Sequence, residues 1–375
     1  MSDIDDPRHD REAGARDATL DTTRIDDTRI AAVRALVSPA VLLEELPVTA
    51  AIEAVVEDSR RAISQVLQGH DDRLVVVVGP CSIHDHGQAL HYAQLLLRQR
   101  QALAGELIVV MRVYFEKPRT TVGWKGYIND PRLDGSFRIN EGLRRARELL
   151  LAINAMGLPA GIEFLELLSP QYVSDLVAWG AIGARTTESQ SHRQLASGLS
   201  CPVGFKNGTD GGVQVATDAL QAAAAPHAFM GMTKMGVAAI FETRGNPDSH
   251  VILRGGRVPN FDAAAVAATC EALHKAGLPV RVMVDCSHAN SAKQHRRQIE
   301  VARDVAGQVA GGDNRIIGLM VESHLHEGRQ ELRDAAALTP GVSITDACIG
   351  WDDTVPLLQG LAQAVRQRRA QATAA

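Results

Sequence analysis

The sequence predicts an α/β fold of the (β/α)8, or TIM-barrel, class, and three features of the chain point to it. Short apolar runs rich in valine and isoleucine alternate with longer helical patterns, which is typical of buried parallel strands joined by helical crossovers. Eight such runs can be placed, the number that closes a barrel. Most of them run directly into a charged or metal-binding residue, as strands do when their carboxyl ends form an active site. The predicted strands lie near residues 74–78, 107–113, 160–164, 181–185, 202–206, 250–254, 281–286 and 316–321.

Helical patterns fill the segments between these runs. An amphipathic stretch over residues 48–69 precedes the first strand and ends at Gly69. An open doubly wound sheet is the alternative architecture, but it would normally carry a GxGxxG phosphate loop after its first strand, and the sequence has none there. The predicted crossover helices include residues 87–103, 138–156, 170–178, 212–224, 263–276 and 292–310.

Two segments of the chain are additions that a (β/α)8 barrel does not require. Residues 1–30 are rich in Asp, Arg and Thr and are expected to be mobile, whereas residues 29–47 turn apolar and should dock on another surface. Residues 227–250 alternate around a Lys-Met-Gly turn, which predicts a β-hairpin inserted before the sixth strand. The predicted organisation is an N-terminal arm and helix over 1–70, a catalytic barrel over 71–368 with the hairpin at about 227–249, and a C-terminal tail over 369–375.

Composition narrows the classes of function. The chain has 375 residues, 45% of them hydrophobic, and a net charge of −5, which argues against nucleic-acid binding through bulk electrostatics. No apolar stretch approaches the roughly 20 residues of a membrane helix, and the acidic N-terminus lacks the apolar region of a signal peptide. The cysteines are odd in number and scattered, so we expect free thiols and a cytoplasmic location. They are Cys81, Cys201, Cys270, Cys286 and Cys348.

A basic loop follows the second predicted strand. Arg112 comes directly after the run LIVVM, and Lys117, Arg119 and Thr120 follow in the sequence RVYFEKPRTTVGWKG. Most charge runs of this kind are solvated surface loops. This one begins inside a buried strand, and an unpaired buried guanidinium is costly, so an anionic partner is expected for Arg112. Arginines and hydroxyls together predict phosphate binding in this loop.

Further cations lie at other predicted strand ends. Arg185 follows the run AIGA, Lys206 follows VGF, and Arg254 ends the run VILR. A buried salt bridge with Glu163 or Glu188 would explain Arg185 or Lys206 singly, but explains both less well. Cations at several strand ends of one barrel indicate phosphorylated, acidic substrates.

Four residues of metal-binding type also follow predicted strands. A thiolate, an imidazole and two carboxylates, from Cys81, His288, Glu322 and Asp346, would suit a borderline divalent metal. Each has an ordinary explanation when taken singly, since a lone cysteine after a strand is more often part of the core. His288 is preferred over other histidines because it lies directly beyond a strand, and Asp85 beside two of them reads as a helix cap. The other candidates are His84, His86, His324 and His326.

Together these motifs closely resemble the type I 3-deoxy-D-arabino-heptulosonate-7-phosphate (DAHP) synthases, in their microbial branch regulated by aromatic amino acids. The resemblance covers roughly residues 20–368. It implies condensation of phosphoenolpyruvate with D-erythrose 4-phosphate and water, the first step of the shikimate pathway. The motifs are VGPCSIHD, MRVYFEKPRTTVGWKGYINDPRLDGSF, WGAIGARTTESQSHRQLASGLSCPVGFKNGTDG, HVILRGG, VDCSHANSAKQHRRQ, GLMVESHLHEG and SITDACIGW.

The resemblance also implies a role for each matching residue. One divalent ion (Mn, Fe, Co or Zn) would be held by Cys81, His288, Glu322 and Asp346. Phosphoenolpyruvate would contact Arg112, Lys117, Arg185, Lys206, Arg254 and the backbone of Ala184. Erythrose 4-phosphate would contact Arg119, Thr120 and Asp346. Lys117 or Lys206 would donate the proton, with His288 as a further proton carrier.

Regulation and assembly are expected from the same resemblance. It implies an effector pocket for an aromatic amino acid, and Gly231 favours tyrosine because a missing side chain leaves room for the phenol hydroxyl. The apolar run Ile30–Leu46 would expose a hydrophobic surface on a monomer, so a homo-oligomer, dimer or tetramer, is expected. The expected effector residues are Pro170, Gln171, Leu195, Ser200, Phe229 and Gly231.

Two alternatives stay open at this point. One is a 3-deoxy-octulosonate-8-phosphate synthase, which would take arabinose 5-phosphate instead. The other is a non-catalytic regulator that binds metal and phosphosugar on the same barrel. Phosphate release from each aldose phosphate, with and without chelator, separates all three.

Overall fold

The computed structural model describes residues 25–374, and within them eight parallel strands hydrogen-bond side by side into a closed barrel. This confirms the predicted (β/α)8 class. Two further strands form the hairpin predicted between the fifth and sixth barrel strands. The strands are β1 (Leu74–Gly79), β2 (Leu107–Arg112), β3 (Ala160–Glu163), β4 (Trp179–Ile182), β5 (Val203–Lys206), β6 (Ala228–Met232), β7 (Ala238–Glu242), β8 (Ser249–Leu253), β9 (Val282–Asp285) and β10 (Ile316–Glu322).

The order round the barrel is β1, β10, β9, β8, β5, β4, β3 and β2, and β1 pairs with both β2 and β10. Every residue of these eight strands is buried, which explains why their sequences are continuous apolar runs rather than alternating ones. Because all eight strands run the same way, their carboxyl ends meet at one rim, and residues far apart in the chain come together there.

Helices cover the outside of the barrel, close to their predicted positions. The segment predicted as one helix over 170–178 is instead a short turn of α-helix followed by a 3-10 turn, Ser174–Leu176. The helix predicted from 292 begins only at Arg297, because His288, Ala292 and Lys293 adopt left-handed backbone conformations that interrupt it. The helices are α1 (Pro39–Glu45), α2 (Ala50–Gln68), α3 (His86–Ala102), α4 (Ile139–Ala155), α5 (Pro170–Val173), α6 (Gln190–Gly198), α7 (Gln214–Ala224), α8 (Ala263–Lys275), α9 (Arg297–Ala310) and α10 (Trp351–Ala374).

The N-terminal arm docks on the barrel through hydrogen bonds, an ion pair between Glu45 and Arg144, and one buried leucine. Leu42 of α1 is buried, and Tyr172 donates a hydrogen bond to the carbonyl of Val37 at 2.6 Å. Val33 remains 71% exposed, so much of the apolar surface of the arm faces outward. Of the segment expected to be mobile, residues 1–24 lie outside the described residues.

The hairpin turns at Lys-Met-Gly as predicted, with Gly236 in the left-handed conformation at φ 79°. Phe229 of β6 stacks on Phe241 of β7, with ring centroids 6.0 Å apart. The hairpin contacts the arm through a hydrogen bond from the Ala40 amide to the Lys234 carbonyl. The two additions to the barrel are therefore neighbours.

The chain ends in a long helix rather than in the tail predicted over residues 369–375. Helix α10 continues to Ala374, and Arg369 fixes its last turns by a bidentate pair with Asp72 at 2.6 and 2.7 Å. Among the described residues, no helix is both long and apolar enough to cross a bilayer.

Candidate active site

A cavity of about 200 Å³ opens at the carboxyl rim of the barrel, and we call it the mouth cavity. Strand β5 contributes Lys206 as its last residue, and Arg254 follows the last residue of β8. The loop after β2 adds Lys117, Arg119 and Thr120, so most residues that the sequence predicted to bind substrate share this space. The lining is Lys117, Pro118, Arg119, Thr120, Glu163, Gly183, Ala184, Arg185, Thr186, Lys206, Thr209, Arg254, His288, Lys293, Thr345 and Asp346.

The mouth cavity is strongly cationic. Six lysines and arginines line it against two carboxylates, those of Glu163 and Asp346. Arg185 donates to the Thr120 hydroxyl at 3.3 Å and to the Pro118 carbonyl at 3.4 Å, which joins the loop after β4 to the loop after β2. Such a surface favours a multiply charged anion.

Arg112 has its anionic partner within the chain, although the sequence suggested a bound anion. Its guanidinium is 1% exposed and pairs with Glu322 at 3.0 Å. It also donates to the carbonyls of Pro80 and Cys81 and lies 3.4 Å from the centroid of the Tyr114 ring. Arg112 is not among the residues that line the mouth cavity; it supports the floor beneath it.

Three of the four predicted metal ligands come together at this floor. The candidate ligand atoms of Cys81, Glu322 and Asp346 all lie within 4.8 Å of one another, the one such group in the described part of the chain. Lys117 Nζ lies 3.3 Å from Cys81 Sγ. Burial and the Glu322 carboxylate raise the pKa of the Cys81 thiol, more than Lys117 lowers it. A buried thiol between two carboxylates fits a divalent cation, which would supply the positive charge that a thiolate needs there.

His288, the fourth predicted ligand, lies beside this group but outside it. The ring lines the mouth cavity, and its Nδ1 lies 2.9 Å from Asp285 Oδ2 and 2.6 Å from Ser287 Oγ. Because the Ser287 hydroxyl and the Asp285 carboxylate both engage Nδ1, Nε2 is left as the free ligand atom for a metal.

Two cations had other partners than the sequence suggested. Lys206 pairs with Asp285 at 2.8 Å, and not with Glu163 or Glu188, while Arg185 is held by uncharged oxygens. Burial would raise the pKa of Asp285, but His288 and Lys206 outweigh it and hold that pKa well below the usual range. The sequence analysis did not select Asp285 as a site residue. Its position at the end of the buried strand β9 is the same signal that selected the other candidates.

Lys293 is a second residue that sequence reasoning missed. It lies in the left-handed conformation at φ 59° and lines the mouth cavity near Asp346. Burial would raise the pKa of Asp346, but Lys117, His288 and Lys293 lower it further, so it stays below the ordinary value. No motif marks Lys293, because its approach depends on the turn that follows His288.

The four alternative histidines do not join the group of metal-binding type. Asp85 caps α3 by accepting a hydrogen bond from the Gln88 amide at 2.7 Å, as its position suggested. His84 and His324 are buried with ring centroids 6.0 Å apart, and burial lowers the pKa of both. Burial therefore favours the neutral form of both rings.

A second and larger cavity, of about 1110 Å³, lies between the hairpin, α6 and the loop after β3, and we call it the hairpin cavity. Gly231 faces the Phe241 ring closely, since a Cβ there would come within 2.9 Å of that ring. All six residues that the sequence predicted for an effector pocket line this cavity: Pro170, Gln171, Leu195, Ser200, Phe229 and Gly231.

Glu116 lies between the two cavities. It precedes Lys117 in the chain, and Ser169, beside the hairpin cavity, donates to its Oε2 at 2.9 Å. Its Oε1 is buried without a hydrogen-bond partner. Burial raises the pKa of Glu116 to about 8, although the hydrogen bond from Ser169 opposes the shift. The carboxyl is therefore neutral at pH 7.

Comparison with known proteins places these features in a family. Residues 47–359 match the family model described as the DAHP synthetase I family. The Phe-sensitive phospho-2-dehydro-3-deoxyheptonate aldolase of Escherichia coli K12 is 60% identical over 344 residues, 92% of this chain and 98% of that protein. The tyrosine-inhibited aldolase of Schizosaccharomyces pombe is 53% identical over 94% of this chain and 96% of its own length.

A solved structure agrees with the same family. The phospho-2-dehydro-3-deoxyheptonate aldolase of Francisella tularensis SCHU S4 is 49% identical and superposes with a TM-score of 0.89, covering 90% of this chain and 99% of that one. The Trp-sensitive aldolase of Escherichia coli K12 is 52% identical over 92% of this chain and 99% of its own length. Relatives with three different effector names are therefore similar to this chain, and overall identity does not select among them.

Proposed function

The chain belongs to the DAHP synthetase I family, and we propose that its mouth cavity is where phosphoenolpyruvate condenses with D-erythrose 4-phosphate and water to give DAHP and phosphate. That reaction is the first step of the shikimate pathway to the aromatic amino acids. The observation that carries the proposal is the meeting of six cations with Cys81, Glu322 and Asp346 at one barrel rim. Neither a 3-deoxy-octulosonate-8-phosphate synthase nor a non-catalytic regulator is favoured, because the relatives are named as heptonate aldolases.

We propose that different cations of the mouth cavity serve the two substrates. Arg185, Lys206 and Arg254 would hold the phosphate and carboxylate of phosphoenolpyruvate, with the Ala184 backbone beside them. Arg119 and Thr120, on the loop after β2, would hold the phosphate of erythrose 4-phosphate. Fixing two anions against each other in this way converts an encounter into a positioned reaction, the largest effect the chain itself supplies. Arg112 would act from below by orienting Glu322.

Cys81, Glu322 and Asp346 would hold the divalent ion, and His288 Nε2 would complete its ligands. When bound, the ion would act as a Lewis acid on the aldehyde oxygen of erythrose 4-phosphate. We propose Lys117 as the proton donor to that oxygen, because its Nζ lies 3.3 Å from Cys81 Sγ, whereas Lys206 is engaged by Asp285. C3 of phosphoenolpyruvate would form the new bond to the aldehyde carbon while the aldehyde oxygen takes up the proton. Water would add at C2, which has become electron-poor, and would lose its proton. The resulting hemiketal phosphate would expel phosphate by C–O cleavage as the C2 carbonyl forms.

One assay tests the reaction. The protein is incubated with phosphoenolpyruvate and either erythrose 4-phosphate or arabinose 5-phosphate, and released phosphate is measured with and without chelator. We expect release with erythrose 4-phosphate alone, and its loss on chelation with recovery after added Mn²⁺. Release with arabinose 5-phosphate in preference would assign the octulosonate reaction, and no release with either would support a binding protein.

The hairpin cavity is proposed as the effector site for an aromatic amino acid, with tyrosine favoured. Its mixture of leucine, phenylalanine and serine side chains suits an aromatic ring with polar groups. Inhibition further requires that the effector favours a less active state, so binding alone does not establish it.

A homo-oligomer, dimer or tetramer, is proposed from the exposed apolar surface of the two additions. Val33 on the arm and Met230 and Ile240 on the hairpin are 71%, 91% and 76% exposed. Light scattering of the full chain should give at least a dimer, and deletion of residues 1–46 should weaken assembly. A full-length monomer would contradict this. The five cysteines are free thiols, which supports the proposed cytoplasmic location.

A further inference from the structure

Asp285 joins the two functional halves of the mouth cavity. It is the last residue of β9, and its side chain is fully buried. Its Oδ2 accepts a hydrogen bond from Lys206 Nζ at 2.8 Å and lies 2.9 Å from His288 Nδ1. The Ser287 hydroxyl links the same ring to the same carboxylate, since it lies 2.6 Å from His288 Nδ1 and donates to Asp285 Oδ1. Lys206 belongs to the proposed phosphoenolpyruvate site and His288 to the proposed metal site, so one oxygen atom serves both.

We propose that Asp285 is a positioning residue that couples metal binding to phosphoenolpyruvate binding. The proposal rests on the proposed function above, since it takes those two ligands as given. It goes further because it makes each ligand improve the binding of the other through a shared hydrogen-bond acceptor. Asp285 itself touches neither ligand.

The carboxylate has no freedom to give each donor its own oxygen. Oδ1 is already taken, because it accepts from the Ser287 amide at 3.0 Å and from the Ser287 hydroxyl at 2.6 Å. The backbone carbonyl of Asp285 accepts from Asn290 Nδ2 at 2.9 Å, and the same nitrogen donates to the Leu253 carbonyl. Rotation of the carboxylate would break two hydrogen bonds in a fully buried place, so Lys206 and His288 share Oδ2.

The sharing sets the sign of the coupling. His288 with its Nε2 bound to a cation would carry more positive charge at Nδ1–H, so its attraction to the Asp285 carboxylate would strengthen, both directly and through the Ser287 hydroxyl. The same oxygen then attracts Lys206 less, and the ammonium becomes available to an anion in the cavity. By linkage, an anion that engages Lys206 leaves Asp285 to His288 and tightens the metal by the same factor.

The coupling can be measured without turnover, because erythrose 4-phosphate is left out. Titration calorimetry gives the dissociation constant of Mn²⁺ with and without saturating phosphoenolpyruvate. In the wild-type protein we expect phosphoenolpyruvate to tighten Mn²⁺ about 5-fold or more. Asp285→Asn, checked for folding by circular dichroism, should reduce that ratio to within about twofold, because an amide oxygen attracts both donors weakly.

Glu163→Gln is the matched control. Glu163 also contributes a carboxylate to the mouth cavity, but among the described residues it shares no hydrogen bond with Lys206 or His288. This variant should keep the wild-type ratio even where its phosphoenolpyruvate affinity changes. An Asp285→Asn protein that keeps the wild-type ratio, or a Glu163→Gln protein that loses it equally, would overturn the proposal by reducing the coupling to general charge.

A second variant tests the same idea if Asp285→Asn does not fold. His288→Ala leaves Oδ2 to Lys206 alone, so the affinity for phosphoenolpyruvate in the absence of metal should fall at least about 5-fold. Unchanged metal-free affinity would overturn the shared-oxygen account. A wild-type protein that binds neither Mn²⁺ nor phosphoenolpyruvate would instead overturn the proposed function itself.

Discussion

The mouth cavity and the hairpin cavity differ in size, in lining and in the part of the fold that forms them. The mouth cavity measures about 200 Å³, is lined mainly by charged and polar side chains, and lies where barrel strands end. The hairpin cavity measures about 1110 Å³, mixes apolar side chains with serines, and depends on the inserted β6–β7 hairpin. The first is fixed by the barrel itself, whereas the second is formed by an addition packed on its side.

This contrast teaches where each kind of change should act. Substitutions at the mouth cavity should alter chemistry or substrate affinity, because six cations meet two carboxylates in its lining. Substitutions at the hairpin cavity should alter the response to an effector. Glu116 lies between the two cavities, so its protonation should be sensitive to changes in either of them.

The largest effect should come from Cys81. Cys81→Ser replaces a thiolate ligand by a hydroxyl that stays protonated, so we expect metal affinity and turnover to fall by at least about 100-fold. Metal content and phosphate release measure this. Cys201→Ser, which changes a buried thiol of the core, should keep metal and activity. A Cys81→Ser protein with near wild-type metal content and turnover would reject the ligand assignment.

A smaller effect should separate the two substrates. Loss of a charged hydrogen bond is worth about 1.5–3 kcal/mol, roughly 10- to 150-fold. Arg119→Ala should raise the KM for erythrose 4-phosphate by about that factor, while Arg185→Ala and Lys206→Ala should raise the KM for phosphoenolpyruvate. Steady-state kinetics with each substrate varied in turn decides this. Equal effects on both substrates in all three variants would refute the division.

Substitution of Gly231 should change how the hairpin cavity binds an aromatic effector. A side chain there meets the Phe241 ring at 2.9 Å, so Gly231→Ser must displace that ring and change the space for an aromatic effector. We expect tyrosine to inhibit the wild type more strongly than phenylalanine or tryptophan, and Gly231→Ser to weaken tyrosine about 5-fold or more. Each rate is compared with the same protein's uninhibited rate. Inhibition by phenylalanine alone would overturn the choice of effector, and insensitivity to all three would overturn the site.

The smallest effect should be a pH dependence of stability from Glu116. Its pKa is raised from an ordinary 4.5 to about 8, so the unfolded chain ionises there while the folded protein stays neutral. This group therefore lowers the free energy of unfolding as pH rises from about 4.5 to about 8, by at most about 1.4 kcal/mol per pH unit, and not further above that.

Glu116→Gln cannot ionise and should remove this dependence. The Tm of the variant minus that of the wild type should therefore increase between pH 5 and pH 8, by a few degrees. Glu44→Gln, at an exposed carboxylate, should give a flat difference. A Glu116→Gln difference that is also flat would show that the carboxyl ionises freely in the folded protein.

The barrel could be predicted from the sequence alone, and so could most of the candidate site residues that the structure brings together at its rim. Short continuous apolar runs rich in Val and Ile favour strands buried on both faces, and parallel strands bring their ends to one rim. Cys81, Lys206, Arg254 and Glu322 could therefore be identified from their place after such runs. The hairpin could be predicted for a similar local reason, because residues on both sides of the turn at Gly236 alternate as they do in strands.

Only the tertiary structure decided which charges pair. Arg112 meets Glu322 across 210 residues of chain, and Lys206 meets Asp285 across 79. These partners depend on which strands are neighbours in the barrel and on which way each side chain points, and neither is encoded within a local window. The same holds for His288, whose ring turns toward Asp285 because the backbone after β9 is left-handed. Composition at a strand end identifies candidate functional groups, but long-range packing determines the partner that each of them has.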